Sequence, residues 1–171
     1  MAGVSRTVPC SPLSLRAARI GVQELILVST RSPRPDIPTS ESFRFWLPLR
    51  TRNRDTDQFG HVNHAAMATL LEESRIALVF APELAEETRG IDLLVASLTM
   101  NFHRELRAPG DIRVGSAVTR IGSSSLDIRQ GIFAGDVCFA SAEAVCVLLG
   151  SEARRPVRVG EAMRAHLLGT S

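Results

Sequence analysis

One stretch in the body of this chain has the length and the periodicity of a helix, and its surroundings read as strand. In "HAAMATLLEESRIALVF", residues 64–80, Met67, Leu70, Leu71, Ser74 and Leu78 recur at three- and four-residue spacing, the stripe of a helix with one buried face. Asn63 stands ahead of it where an N-cap belongs, its side-chain oxygen available to an unpaired amide of the first turn. Pro82 helps to end the helix. Upstream, "SFRFWLPLRTR" puts Phe43, Phe45, Leu47 and Leu49 at alternate positions, which predicts a strand over 43–52. After Gly90, "IDLLVASLTMNFHREL", "DIRVGSAVTRIG", "SSLDIRQGIFAG" and "VCFASAEAVCVLLG" read as four more strands, separated by "RAPGD", "GSSS" and "GD". The short glycine turns predict antiparallel hairpins. A short C-terminal helix is expected in "VGEAMRAHLLG", after Pro156.

The order strand, helix, four strands leaves a single long helix to cover a sheet, so the predicted class is α+β. A helix over 64–80 is ~25 Å long and a twelve-residue strand ~40 Å, so long coiled strands can wrap around it. In the last strand Cys138, Ala140, Ala142, Ala144, Cys146 and Leu148 share one face, a row of small side chains against which the helix can lie close. Phe139, Val145, Val147 and Leu149 occupy the other face, and their apolar character predicts a partner, hence a homodimer or homotetramer.

A chain of 171 residues, 44% of them hydrophobic, suits one domain with a real core. That domain is expected over 42–171. Residues 1–41, rich in Ser, Pro and Arg and without an acid before Glu24, are expected to be a poorly ordered N-terminal extension with the composition of a transit peptide or of a start placed too far upstream. All twenty basic residues are arginine and there is no tyrosine, a compositional bias that says little about function. Residues 1–40 carry five Arg against Glu24 and Asp36, while the rest carries fifteen Arg against sixteen acids, so the body is near neutral. With no basic stripe and no interleaved aromatics, nucleic acid is not an expected partner. The apolar runs fall far short of the ~18–20 residues that span a bilayer, so no membrane span is expected. Cys10, Cys138 and Cys146 are odd in number and lack metal-binding spacing, which argues against a disulfide framework and fits a reducing, cytoplasmic setting.

The chemistry concentrates in "RDTDQFGHVNH", residues 54–64, which delivers Asp55, Asp57, His61, Asn63 and His64 to the amino end of the helix. Unpaired N–H groups and the helix dipole favour negative charge there, so such an end can hold an oxyanion. A carboxylate just upstream can act as nucleophile or general base on the carbonyl carbon whose oxygen those amides polarise. These are the parts of acyl transfer. Gly60 permits close backbone approach or positive φ. Asp57, His61, His64 and the distant His103 would also give a metal an oxygen–nitrogen set, but loop ordering and pocket lining are the preferred roles, with general-base action by either loop histidine, above all His64, as the mechanistic runner-up, and neither metal nor cofactor is expected.

The stretch Asp55-Thr56-Asp57-Gln58-Phe59-Gly60-His61-Val62-Asn63-His64 resembles the D-x-D-x-x-G-H-V-N-N signature of hotdog-fold acyl-CoA thioesterases of the 4-hydroxybenzoyl-CoA thioesterase type. "LLEESR" is similar to the family's aromatic-Glu-Glu-Ala-Arg helix, "LTMNFHRELRAPGDIRV" to its second strand and Gly-Asp turn, and "VTRIGSSSLDIRQGI" to the hairpin that follows, so the resemblance runs over about 43–150. It implies a hotdog fold, a long helix wrapped by a five-stranded antiparallel sheet. It implies that Asp57 is the catalytic carboxylate, that the backbone amide of His64 polarises the thioester, and that sites form across a dimer interface. Coenzyme A would lie along the hairpin region, where Arg104, Arg120 and Ser124 are the positional candidates. The family usually has Asn at 64 and aromatics at 67 and 70; His64, Met67 and Leu70 depart from it on the acyl side. Some relatives place the carboxylate on the helix, but Glu72 is expected to pair with Arg75 on the helix surface. The expected activity is hydrolysis of an acyl-CoA or acyl-carrier thioester. A non-hydrolysing acyl-CoA-binding module and a hotdog dehydratase acting on 3-hydroxyacyl thioesters are the competing readings.

Overall fold

The computed structural model describes residues 36–169, so the expected N-terminal extension lies outside the described residues save for 36–41, and Cys10 lies outside them entirely. The elements follow in the order β1 (Phe45–Thr51), α1 (His64–Val79), β2 (Ile91–Phe102), β3 (Gly110–Ile121), β4 (Ser125–Ala134), β5 (Val137–Gly150) and α2 (Glu161–Leu168). The five strands make one antiparallel sheet in the order β1-β3-β4-β5-β2. Pro48 sits in β1, at an edge of the sheet, where the missing N–H costs no inner ladder bond. Pro82 opens a 3-10 turn, Pro82–Leu84, just beyond α1.

β3–β4 and β4–β5 are the hairpins that the glycine turns predict, but β2 and β3 do not pair. The link between them, residues 103–109, carries Leu106 into the core, and β2 lies at the far edge against β5, from Ile91 opposite Gly150 to Phe102 opposite Ala140. A turn motif reports where a chain bends; it does not report which strand lies beside which.

α1 lies over the sheet with Met67, Leu70, Leu71, Ser74, Arg75, Leu78 and Val79 buried. Leu78 and Val79 share a cluster with Ile128, Ala144, Cys146 and Leu148 and with Met163 and Leu167 of α2. Met67, Leu70 and Leu71 share another with Val62, Leu106, Val114, Ile132, Ala140 and Ala142. The row of small residues on β5 is thus buried beneath the helix side of the sheet. On the opposite face Leu149 is already buried within the chain, while Phe139, Val145 and Val147 are half-buried.

Arg75 corrects the expectation of a surface pair with Glu72. It is 3% exposed, because it stands four residues after Leu71 and three before Leu78, on the buried stripe. Its Nη1 donates to Gln130 Oε1 at 2.7 Å. Gln130 Nε2 in turn donates to the Leu71 carbonyl at 3.0 Å and to Ser116 Oγ at 2.9 Å, and Ser74 and Ser116 bond through their hydroxyls at 2.9 Å. Arg75 Nε is buried with no partner among the described residues. Burial pulls the guanidinium's pKa down, against opposing pulls from Cys146 and Glu72. Removing the acceptor would leave that cation without its side-chain ligand, so Gln130→Leu is expected to lower stability by roughly 3 kcal/mol, measured by urea denaturation.

Candidate active site

The loop ahead of α1 is closed by its own backbone and by the Asp55 and Asp57 side chains. Arg52 N–H donates to Asp55 Oδ2 at 2.7 Å, Asn63 N–H to the Asp55 carbonyl at 2.8 Å, and Asp57 N–H to the His61 carbonyl at 2.8 Å. Gly60 N–H returns to the Asp57 carbonyl at 3.1 Å, and Gly60 has φ +81°, a left-handed conformation that most side chains resist. Inside this turn Asp57 Oδ1 accepts the N–H groups of Phe59 at 2.8 Å and His61 at 3.2 Å. Asp57 Oδ2 has no protein partner among the described residues. Burial pushes the Asp57 carboxyl up, but the N–H groups of His61 and Phe59 and the charges of His61 and His64 outweigh it and hold the group below its ordinary value. The loop therefore offers an ionised carboxylate with one oxygen held and one open.

Asn63 caps α1 as its position predicts, its Oδ1 accepting the Ala65 N–H at 2.8 Å. The His64 N–H, the first of the helix, has no acceptor among the described residues. Beside it lies a cleft of about 550 Å³ lined by Asp57, His61, His64, Met67, Phe102 and Arg104 among others. The His64 ring rests on Phe102 with centroids 4.2 Å apart. His61 Nε2 meets Glu105 Oε2 at 3.0 Å, and Val62 N–H donates to the Leu106 carbonyl at 2.7 Å.

The structure thus brings Asp57, Gly60, His61, Asn63 and His64 together, with Arg104 on the cleft wall. Arg120 and Ser124 are not in this cleft. Arg120 sits on β3 with Nε 2.7 Å from Asp127 Oδ2, and Ser124 lies in the β3–β4 turn with its carbonyl taken by the Leu148 N–H. The three histidines first considered with a metal each have another neighbour: Glu105 for His61, Phe102 for His64, and Ser141 Oγ at 2.9 Å for His103, whose pKa burial lowers. Phe102, Glu105 and Leu106 went unrecognised in the sequence. The charged run His103-Arg104-Glu105 at the end of an apolar strand is the one signal that could have drawn attention to them.

Residues 51–167 match the family model of the thioesterase-like superfamily. The chain belongs to that superfamily. It is 28% identical over 140 residues to the uncharacterized protein YsmA of Bacillus subtilis (strain 168), covering 79% of this chain and 95% of that one. Among solved structures it is similar to the PA5185 protein of Pseudomonas aeruginosa strain PAO1, with a TM-score of 0.69 and 24% identity over 77% of this chain and 94% of that one. It is also similar to a thioesterase complexed with coenzyme A and Zn from Thermus thermophilus, with a TM-score of 0.61 and 28% identity over 73% of this chain and 98% of that one. The fold is the hotdog fold, and the family and the Thermus thermophilus thioesterase support thioester hydrolysis in general. Among the described residues no helix is long and apolar enough to cross a membrane.

The cap ties site to scaffold, so Asn63→Ala is expected to lower stability by about 1 kcal/mol, with Asn63→Asp close to wild type in thermal unfolding.

Proposed function

We propose that the protein hydrolyses an acyl-CoA, or the matching acyl-carrier thioester, to the free acid and thiol, with Asp57 as its catalytic carboxylate. The observation that carries this reading is the Asp57 turn, in which two backbone N–H groups hold one carboxylate oxygen while the other stays open beside the uncapped His64 N–H. The open carboxylate oxygen can take a proton from an attacking water or can itself attack the thioester carbonyl as a nucleophile. In the nucleophilic scheme the C–S bond breaks as an acyl–Asp57 anhydride forms, and water then opens the anhydride to restore the carboxylate. The His64 N–H, aligned by the Asn63 cap, stabilises the oxyanion in both steps. Arg104, on the cleft wall, is the cation proposed to meet the thiol's phosphates, and the scheme calls on no cofactor. Cys138 and Cys146 are free thiols, in keeping with a reducing cytoplasm. The test is free-thiol release from short, medium, long and aromatic acyl-CoAs. Asp57→Asn is expected to lose activity by on the order of a hundredfold or more; turnover close to wild type would remove Asp57 from this role.

We further propose that two copies assemble through the β2 edge. β2 has no buried side chain, and Leu94, Leu98 and Phe102 on it are exposed, as is Ile76 on α1. A long apolar edge strand left open invites pairing. Light scattering at micromolar concentration is expected to give twice the chain mass or four times it, and a monomer would overturn the assembly.

A further inference from the structure

We infer that Phe59 is the residue through which the cleft selects its acyl group, its ring being the apolar surface that the acyl chain covers on binding, so that the site takes apolar acyl groups of several carbons in preference to acetyl. The inference rests on the thioesterase reading and deepens it, from thioester hydrolysis to the class of acyl group taken.

Phe59 is 73% exposed, an apolar ring left in water on the wall of the cleft that holds Asp57. Its backbone is fixed there. The Phe59 N–H donates to Asp57 Oδ1 at 2.8 Å, and the turn that carries it is closed by the Gly60 N–H on the Asp57 carbonyl, with Gly60 in the left-handed region. The ring, by contrast, belongs to none of the core clusters and makes no ring contact among the described residues. A rigid main chain thus holds an unpacked phenyl group two residues after the carboxylate that is proposed to react.

The other apolar groups of the wall leave little for a ligand to bury. Val62, Met67 and Leu106 are each at most 4% exposed because they pack in the core beneath α1, so a ligand laid on them removes almost no further apolar area from water. Phe102 is 45% exposed, but the His64 ring rests on it, and it ends the β2 edge through which two copies are proposed to pair. Phe59 is therefore the apolar surface that remains for the substrate. The gain from covering it grows with the apolar area brought to it, about fourfold in affinity for each methylene buried. An acetyl group draws little from the ring, and an octanoyl group draws much.

The experiment measures kcat/KM for thiol release from acetyl-CoA and octanoyl-CoA with wild type, Phe59→Ala and Phe59→Leu, with circular dichroism to establish folding. The octanoyl-to-acetyl ratio is expected to fall about tenfold in Phe59→Ala and to be largely recovered in Phe59→Leu, which offers apolar area again. The same fall is expected when the N-acetylcysteamine thioesters replace the CoA thioesters, since the acyl groups are common to both. An unchanged ratio overturns the inference, as does a ratio that Phe59→Leu fails to recover, or an equal loss on both acyl groups, which would mark Phe59 as acting through the Asp57 turn. A fall confined to the CoA thioesters would put the ring against the thiol arm, and a halved mass in light scattering would put it between copies; either result overturns the inference. Should Phe59→Ala fail to fold, Phe59→Asn, a turn-forming residue without the ring, takes its place with the same outcomes deciding. If wild type releases no thiol from any acyl-CoA, the thioesterase reading fails. Calorimetry with the thioether analogues that carry a methylene between sulfur and carbonyl then decides Phe59 by the same ratio, in affinity, and a wild type that binds neither analogue overturns the inference as well.

Discussion

The 2.7 Å bond from Val62 N–H to the Leu106 carbonyl joins two segments that are otherwise far apart in sequence, and each feature of the cleft is a neighbour of it. Val62 and Leu106 are 2% and 4% exposed, so the bond is made away from water, where an unmade partner would be costly. One residue before it, His61 reaches Glu105; one residue after it, Asn63 turns the chain into α1. The Asp57 turn closes onto His61 through the backbone and through Asp57 Oδ1. Geometry that would be loose in a surface loop is thereby referred to the core cluster of Met67, Leu70, Leu71, Val114 and Ile132, in which Val62 and Leu106 are packed.

A second tie sets how α1 lies. Ser116 and Gln130 face each other across β3 and β4, and together they bond Leu71, Ser74 and Arg75, one turn of the helix. Leucine against leucine would accept several rotations of the helix about its axis, whereas these donors and acceptors meet in one. The rotation matters at the other end, because it decides which way the first N–H groups of α1 point relative to Asp57. Buried polar groups of this kind add less to stability than to the choice among near-equal packings.

What the sequence made legible is what depends on near neighbours. The helix from His64, its cap at Asn63, the strands and the turn at Gly60 each follow from residue types within a few positions. The Asp57 turn was legible through a contiguous motif. Sheet order was not, because "RAPGD" resembles a hairpin turn while β2 actually joins β5, some fifty residues on. Nor was the burial of Arg75: the stripe that placed Ser74 inside also covers position 75, but a charged residue next to Glu72 and Glu73 reads as surface until its acceptor on β4 is known. Glu105 was missed for the same reason, since its significance lies wholly in a contact with a residue forty-four positions earlier.

The departures at 64 and 67 bear differently on chemistry and on specificity. A backbone N–H is supplied by any residue but proline, so on the proposed reading His in place of the family's usual Asn leaves oxyanion stabilisation where it was. The side chain is freed for another use, and here it lies against Phe102, at the end of the exposed edge strand. Met67, buried one turn further along, has an unbranched side chain that adapts to the shape beside it where an aromatic ring would not. The groups proposed to do chemistry, Asp57 and the His64 N–H, are thus held by main-chain bonds, while the rest of the cleft wall is built from side chains that can change without disturbing them. On the proposed reading, that separation lets the scaffold keep the reaction while the cleft lining at Met67, Phe102 and His64 varies.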